Sequence, residues 1–311
     1  MQVATHQSTP FTLTLAAAGL LLGAHAVAAD KPLPPRPTVA DVVKASPASD
    51  WRPLDADNTL YMETAGGRVI IELAPVFAPN HVANIKALVR EQYFDGLAII
   101  RSQDNYVVQW GDADDAHPKP VKTAKSALKA EFTIPLKNDP HFTRLAERDV
   151  YAPQVGHSNG IPVARDPKAG LTWIAHCYGT IGVGRDNDAD SGSGTSLYAV
   201  NGHAPRHLDR NITMVGRVVS GMPLLSTLPR GTGVMGFYEK PESSAAIVSV
   251  KVAADVPAAE RSALEIMRTD SASFQAVVNA QRNRGGPWTK YAAGHVELCN
   301  VPIPVRPRPA P

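Results

Sequence analysis

The chain predicts a mainly β fold: a closed antiparallel barrel capped by two helices, with a small helical C-terminal extension. Three features predict it. Val69, Ile71 and Leu73 alternate with Ile70 and Glu72, the period of two that turns one face of a strand inward. From Pro79 the period changes, and Val82, Ile85, Leu88 and Val89 recur at three- and four-residue steps as the apolar stripe of a helix with proline in its first turn. The 27 prolines and 23 glycines among 311 residues favour many turns and short strands over long helices.

Taken in order, residues 1–29 read as an export signal. From Phe11 to Val27 the side chains are small or apolar, and Ala26-Val27-Ala28-Ala29 offers a small-residue site for cleavage after Ala28 or Ala29. The stretch is short and Ala/Gly-rich for a membrane span, so no stable membrane insertion is expected after processing. The departure is a first segment without Lys or Arg before Lys31, which leaves an uncleaved membrane anchor and a cytosolic protein as the alternatives. The expected location is periplasmic or otherwise exported. Residues 30–57 read as a Pro-rich linker, with Pro-Leu-Pro-Pro-Arg-Pro at 32–37 favouring an extended conformation and only a short helix hinted at by Val39 to Lys44.

The barrel domain is placed at 58–252. Its later strands are expected at 98–101, 106–109, 179–184, 197–200, 213–219 and 246–252, with a second capping helix over Gly221–Leu228. Closing the sheet removes its edges, which suits a monomer. A segment of about 136–171 reads as an inserted surface loop near the groove. The extension, 253–311, is expected to hold helices over Ala258–Arg268 and Ser271–Arg282 and a strand-like run over Val296–Val305. Leu264, Ile266, Met267, Phe274, Val277, Val278 and Trp288 are too apolar for a free tail.

Several chemistries are excluded. A formal charge of +2 without a basic run gives no electrostatic basis for a nucleic-acid partner. Asp186, Asp188 and Asp190 alternate like calcium ligands, but Ser191 stands where a loop glycine is needed and no glutamate follows at the twelfth position. Ser191 and Ser193 lack the Gly-x-Ser-x-Gly frame of a nucleophile turn. His203 and His207 lie four apart, yet Pro205 between them spoils a helical metal pair. No metal and no cofactor are expected.

Three stretches carry a family resemblance. In IIRSQDNYVVQWGD, Arg101 precedes Gln109 by eight residues and Gly111-Asp112 follow. LDRNITMVGRVVSGM keeps Leu208, Asp209, Gly216, Val218, Gly221 and Met222 in the register W-L-D-G-K-H-V-V-F-G-K-V-x-x-G-M. GGRVIIELAPVFAPNHVANIKALV matches a G-x-I-x-I-x-L strand followed by A-P-x-x-V-x-N-F, with Asn84 on the Asn and Ile85 in place of the Phe. Together they resemble the cyclophilins, peptidyl-prolyl cis/trans isomerases, over about Leu60 to Val252.

The resemblance implies an isomerase acting on X-Pro bonds of unfolded or flexible polypeptides. Arg101 and Gln109 take the catalytic places. Tyr106, Val107, Tyr198 and Leu208 take places of the proline pocket, and Gly184 and Arg185 border it. Three positions depart: Ser196 stands for a substrate-binding Gln, Ile212 for a pocket His and His207 for a Trp. A cyclophilin-like module that binds Pro-containing segments without turning them over is therefore the alternative. The only cysteines, Cys177 and Cys299, favour a bridge in an exported chain, with two separately buried thiols as the alternative.

Overall fold

The computed structural model describes residues 35–309, apart from 115 and 241–244. The expected export signal at 1–29 lies outside the described residues. Within them, no helix is long and apolar enough to cross a membrane.

Two short elements come first. Helix α1 (Val39–Ala45) starts at a capping box in which Thr38 and Asp41 exchange hydrogen bonds, and β1 (Trp51–Pro53) follows. The barrel then begins with β2 (Thr59–Thr64), β3 (Gly67–Leu73), α2 (Pro79–Arg90), β4 (Ala98–Ser102) and β5 (Val107–Gly111). An inserted sheet follows: β6 (Ile134–Pro135), β7 (Phe142–Leu145), β8 (Gln154–Ser158), β9 (Ile161–Asp166) and β10 (Leu171–Ile174). The chain re-enters the barrel through β11 (Thr180–Val183), β12 (Leu197–Val200), β13 (Met214–Ser220), α3 (Met222–Ser226) and β14 (Ala245–Val252). It ends with β15 (Leu264–Met267), α4 (Ala272–Arg282) and β16 (Val305–Pro307).

The eight barrel strands close in the order β11-β12-β5-β4-β14-β2-β3-β13, every pairing antiparallel. Val69, Ile71 and Leu73 point inward with Leu60 and Met62, and the α2 stripe of Val82, Ile85, Leu88 and Val89 packs in the same core. Ile70 faces outward yet is buried, because Tyr61, Ala253 and Val256 cover it. The outward Glu72 is buried as well, and it meets Arg52 at 2.6 Å and Arg217 at 3.6 Å.

What covers the barrel is a second layer assembled from three parts of the sequence. Trp51 near the N-terminus, Leu145, Val155 and Trp173 of the insertion, and Met267, Phe274, Val277 and Leu298 of the extension share one apolar cluster. This corrects four expectations. The linker is folded from Thr38 onward, since α1 packs against α4 and β1 pairs with β15. The insertion is a five-stranded sheet in the order β6-β10-β9-β8-β7, and its backbone polar groups are satisfied by that ladder. Residues 264–267 form a strand in place of the expected helix over 258–268: Glu265 is buried and paired to Arg306 at 2.6 Å, and β16 closes its other side. Over 296–305 the chain makes a short 3₁₀ turn at Leu298–Asn300 and becomes strand only at Val305. The second capping helix is also shorter than expected, five residues from Met222.

His157 on β8 lies in the seam between the barrel and this layer, edge-on to the Phe274 ring at 5.0 Å. Burial, with the Arg217 charge adding to it, pulls its imidazole down to about 3. The unfolded chain would take up this proton near the ordinary value of about 6.5. The stability carried by neutral His157 is therefore complete above that pH and is lost as pH falls toward 3. The thermal midpoint is expected to drop between pH 7 and pH 4.5, and less steeply in His157→Gln; equal slopes for the two proteins would assign the acid sensitivity elsewhere.

Candidate active site

A row of four residues crosses four adjacent strands. Arg101 on β4 stands opposite Gln109 on β5, Gln109 opposite Tyr198 on β12, and Tyr198 opposite Gly182 on β11. Direct cross-strand partners share a face, so the register alone brings these residues together outside the barrel core. Gly182 is required by its neighbour: a Cβ there would lie 2.3 Å from the Tyr198 phenol oxygen. The loop into β12 is fixed by Gly194, which has φ +94° and whose added Cβ would fall 2.6 Å from Ile85 on α2.

The guanidinium of Arg101 is half-buried and held at three points. Its Nη1 donates to Gln109 Oε1 at 3.1 Å, its Nε donates to the Met235 carbonyl at 2.7 Å, and its Nη2 donates to Gln103 Oε1. Three of five N–H groups are thus engaged, leaving two without a protein acceptor among the described residues. Burial draws Arg101 below the ordinary arginine value, while Tyr106 and Tyr198 act the other way. It remains a cation near neutral pH. Gln109 is itself fixed, because its Nε2 donates to Ser196 Oγ at 2.9 Å.

Beside this row lies an open groove of about 620 Å³. Arg101, Gln109, Tyr106 and Val107 line it, as do Gly184, Arg185, Ser196, Tyr198, Leu208 and Ile212. His207 is not among its lining residues; its ring lies parallel to Tyr106, with centroids 6.4 Å apart. No residue of the insertion lines the groove, since the strands β7–β9 join the second layer. It supports the groove from behind: Ile161 and Val163 belong to the apolar cluster against which Ile212 packs, and the Asp149 carboxylate accepts from Arg206 at 2.9 Å.

Tyr198 ties the groove to a buried polar chain that the sequence did not reveal. Its hydroxyl lies 3.0 Å from His176 Nε2, and His176 Nδ1 lies 2.9 Å from Asp209 Oδ1. Burial pushes the Asp209 carboxyl up, but His176 and Arg206 outweigh it and hold it below the usual carboxylate range. Burial also drives the Tyr198 phenol far above its ordinary value, so it stays neutral. The groove thus sees an aromatic face whose polar end is already bonded.

Further lining residues went unnoticed, among them Met235 and Phe237, from a loop that folds back onto β4. Tyr238 N donates to the Ile100 carbonyl at 3.0 Å, and Gly231 N to the Ser102 carbonyl at 2.9 Å. The spacing of Gly231, Gly233 and Gly236 was the available signal. Among the described residues, no group of His, Cys, Asp and Glu is arranged to hold a metal ion.

The family model for cyclophilin type peptidyl-prolyl cis-trans isomerases matches residues 59–252. The chain belongs to this family. Two proteins described as probable peptidyl-prolyl cis-trans isomerases, from Brucella suis and Brucella melitensis, are each 29% identical to it over 178 residues, or 57% of this chain and 74% of the relative. Among solved structures, the cyclophilin AquaCyp293 from Hirschia baltica matches with a TM-score of 0.68 and 26% identity, over 87% of this chain and 97% of that one. The family match spans less than two thirds of the chain, so that structural match includes parts of the second layer as well as the cyclophilin barrel.

The bond from Gln109 to Ser196 carries a prediction. Ser196→Ala would leave the Gln109 amide without this acceptor, a neutral bond worth about 0.5–1.5 kcal/mol. Peptide isomerisation kinetics should show kcat/KM lowered by roughly two- to tenfold. An unchanged value would mean that Gln109 needs no such support.

Proposed function

We propose that this cyclophilin isomerises X-Pro bonds in exported polypeptides, with Arg101 as the catalytic residue and the apolar groove as the proline site. The observation that carries the reading is a fixed cation with two N–H groups unengaged among the described residues, at the edge of a pocket walled by Tyr106, Val107, Tyr198, Leu208 and Ile212. Rotation about the prolyl amide is slow because the nitrogen lone pair is delocalised into the carbonyl, a barrier of about 18–20 kcal/mol. As the bond twists, that lone pair becomes localised on nitrogen. An N–H from Arg101 then meets a better acceptor than it does in the planar substrate, so its hydrogen bond strengthens toward the transition state. Proline nitrogen has no hydrogen of its own, and no proton need be transferred. The apolar walls hold the ring and exclude water from the twisting amide.

Gln109 has two tasks in this scheme. Its Oε1 fixes the guanidinium, and its place in the row sets it beside the substrate carbonyl. Export follows from the reading of residues 1–29, and action as a monomer from the closed barrel. The alternative, a module that only binds Pro-containing segments, is favoured by Ile212 in place of the family's pocket histidine. A protease-coupled assay on short X-Pro peptides decides: turnover above the uncatalysed rate supports the enzyme, and saturable binding without turnover supports the binding module.

A further inference from the structure

Resting on the isomerase reading, we infer that Met235, Phe237 and Ile100 form a second substrate subsite, which takes a large apolar side chain of the polypeptide two or three residues from the proline. The three residues line the same groove as the proline pocket, and Phe237 bridges to Arg101 on the edge of β4 opposite Gln109. The guanidinium carbon lies 5.7 Å from the Tyr106 ring and 5.3 Å from the Phe237 ring, so the cation stands between two aromatic walls. With the prolyl amide at Arg101 and its ring on the Tyr106 side, an extended chain advancing about 3.3 Å per residue reaches the Phe237 wall within two or three residues.

The loop is built to present this surface. Met235 is 59% exposed and adopts φ 55°, a left-handed conformation that a methionine rarely takes. Its carbonyl is held there by Arg101 Nε at 2.7 Å. Gly236 has φ +79° and passes so close to β4 that a Cβ would lie 2.6 Å from the Gln103 Cα, while a Cβ on Gly231 would lie 2.0 Å from the Gly236 carbonyl oxygen. The backbone is therefore closely seated, and the apolar side chains face the groove from a fixed support. A flexible thioether beside a half-buried phenyl ring suits aromatic and long aliphatic partners of varied shape. Continuity with the proline pocket makes the substrate itself the occupant.

The test uses proline-centred peptides in which each position up to three residues on either side carries Ala, Asp, Leu or Phe in turn. Both binding by fluorescence titration and kcat/KM are measured on the full protein, Met235→Gly and Phe237→Ala, with thermal midpoints as folding controls. Glycine at 235 keeps the left-handed backbone while removing the side chain. The expected result is a Phe or Leu preference over Ala of at least fivefold at one position, falling below twofold in Phe237→Ala and declining in Met235→Gly. Isomerisation with no flanking preference, or a preference untouched by both variants, overturns the subsite alone. Absence of isomerisation on every peptide overturns the underlying function instead.

Discussion

Replacing Arg101 by alanine is expected to lower kcat/KM for X-Pro isomerisation at least tenfold. A charged hydrogen bond is worth about 1.5–3 kcal/mol, and at roughly 1.4 kcal/mol per decade that is one to two decades of rate. Arg101 also anchors the Met235 carbonyl and engages Gln103 and Gln109. The thermal midpoint should therefore fall by a few degrees. Arg101→Lys separates charge from geometry: lysine keeps the cation but not the planar fork that serves these acceptors and a substrate at once. Lysine activity near that of alanine would assign the effect to the fork. Activity of Arg101→Ala equal to the parent protein would remove Arg101 from the mechanism.

The pairing of Arg101 with Gln109 was legible because period-two strands and a short motif fix both the residues and their register. Arg101 and Gln109 are eight apart across one hairpin, and that spacing makes them cross-strand partners. The α2 stripe was legible for the same local reason. The second layer was not, because its apolar residues bury one another only after Trp51, Trp173 and Phe274 have been brought together from distant parts of the chain. Leu264 and Met267, three apart, suit a helix as well as a strand, and only pairing with β1 and β16 decides between them. Likewise His176 gives no local sign that it meets both Asp209 and Tyr198. Phe237 becomes a wall of the groove only because its loop returns to β4 across Arg101.

Removing the Cys177–Cys299 bond is expected to produce the largest loss of stability. The two cysteines are joined across a sequence separation of 122 residues, tying the segment before β11 to the extension. In the chain-entropy account, a loop of this length stabilises the folded state by about 4–5 kcal/mol, because the cross-link restricts the unfolded chain. For a protein of this size that corresponds to a fall in thermal midpoint on the order of 10 °C. The double variant Cys177→Ala/Cys299→Ala is the cleaner probe, since a single replacement leaves an unpaired thiol in the second core. Calorimetry of this variant beside the oxidised parent measures the shift. Midpoints within two degrees of each other would show that the apolar contacts of Met267, Phe274 and Leu298 hold the extension without help from the bond. If the midpoint falls as expected, the cause is long-range, because the bond's contribution grows with the length of chain it closes whereas apolar docking depends on the area buried.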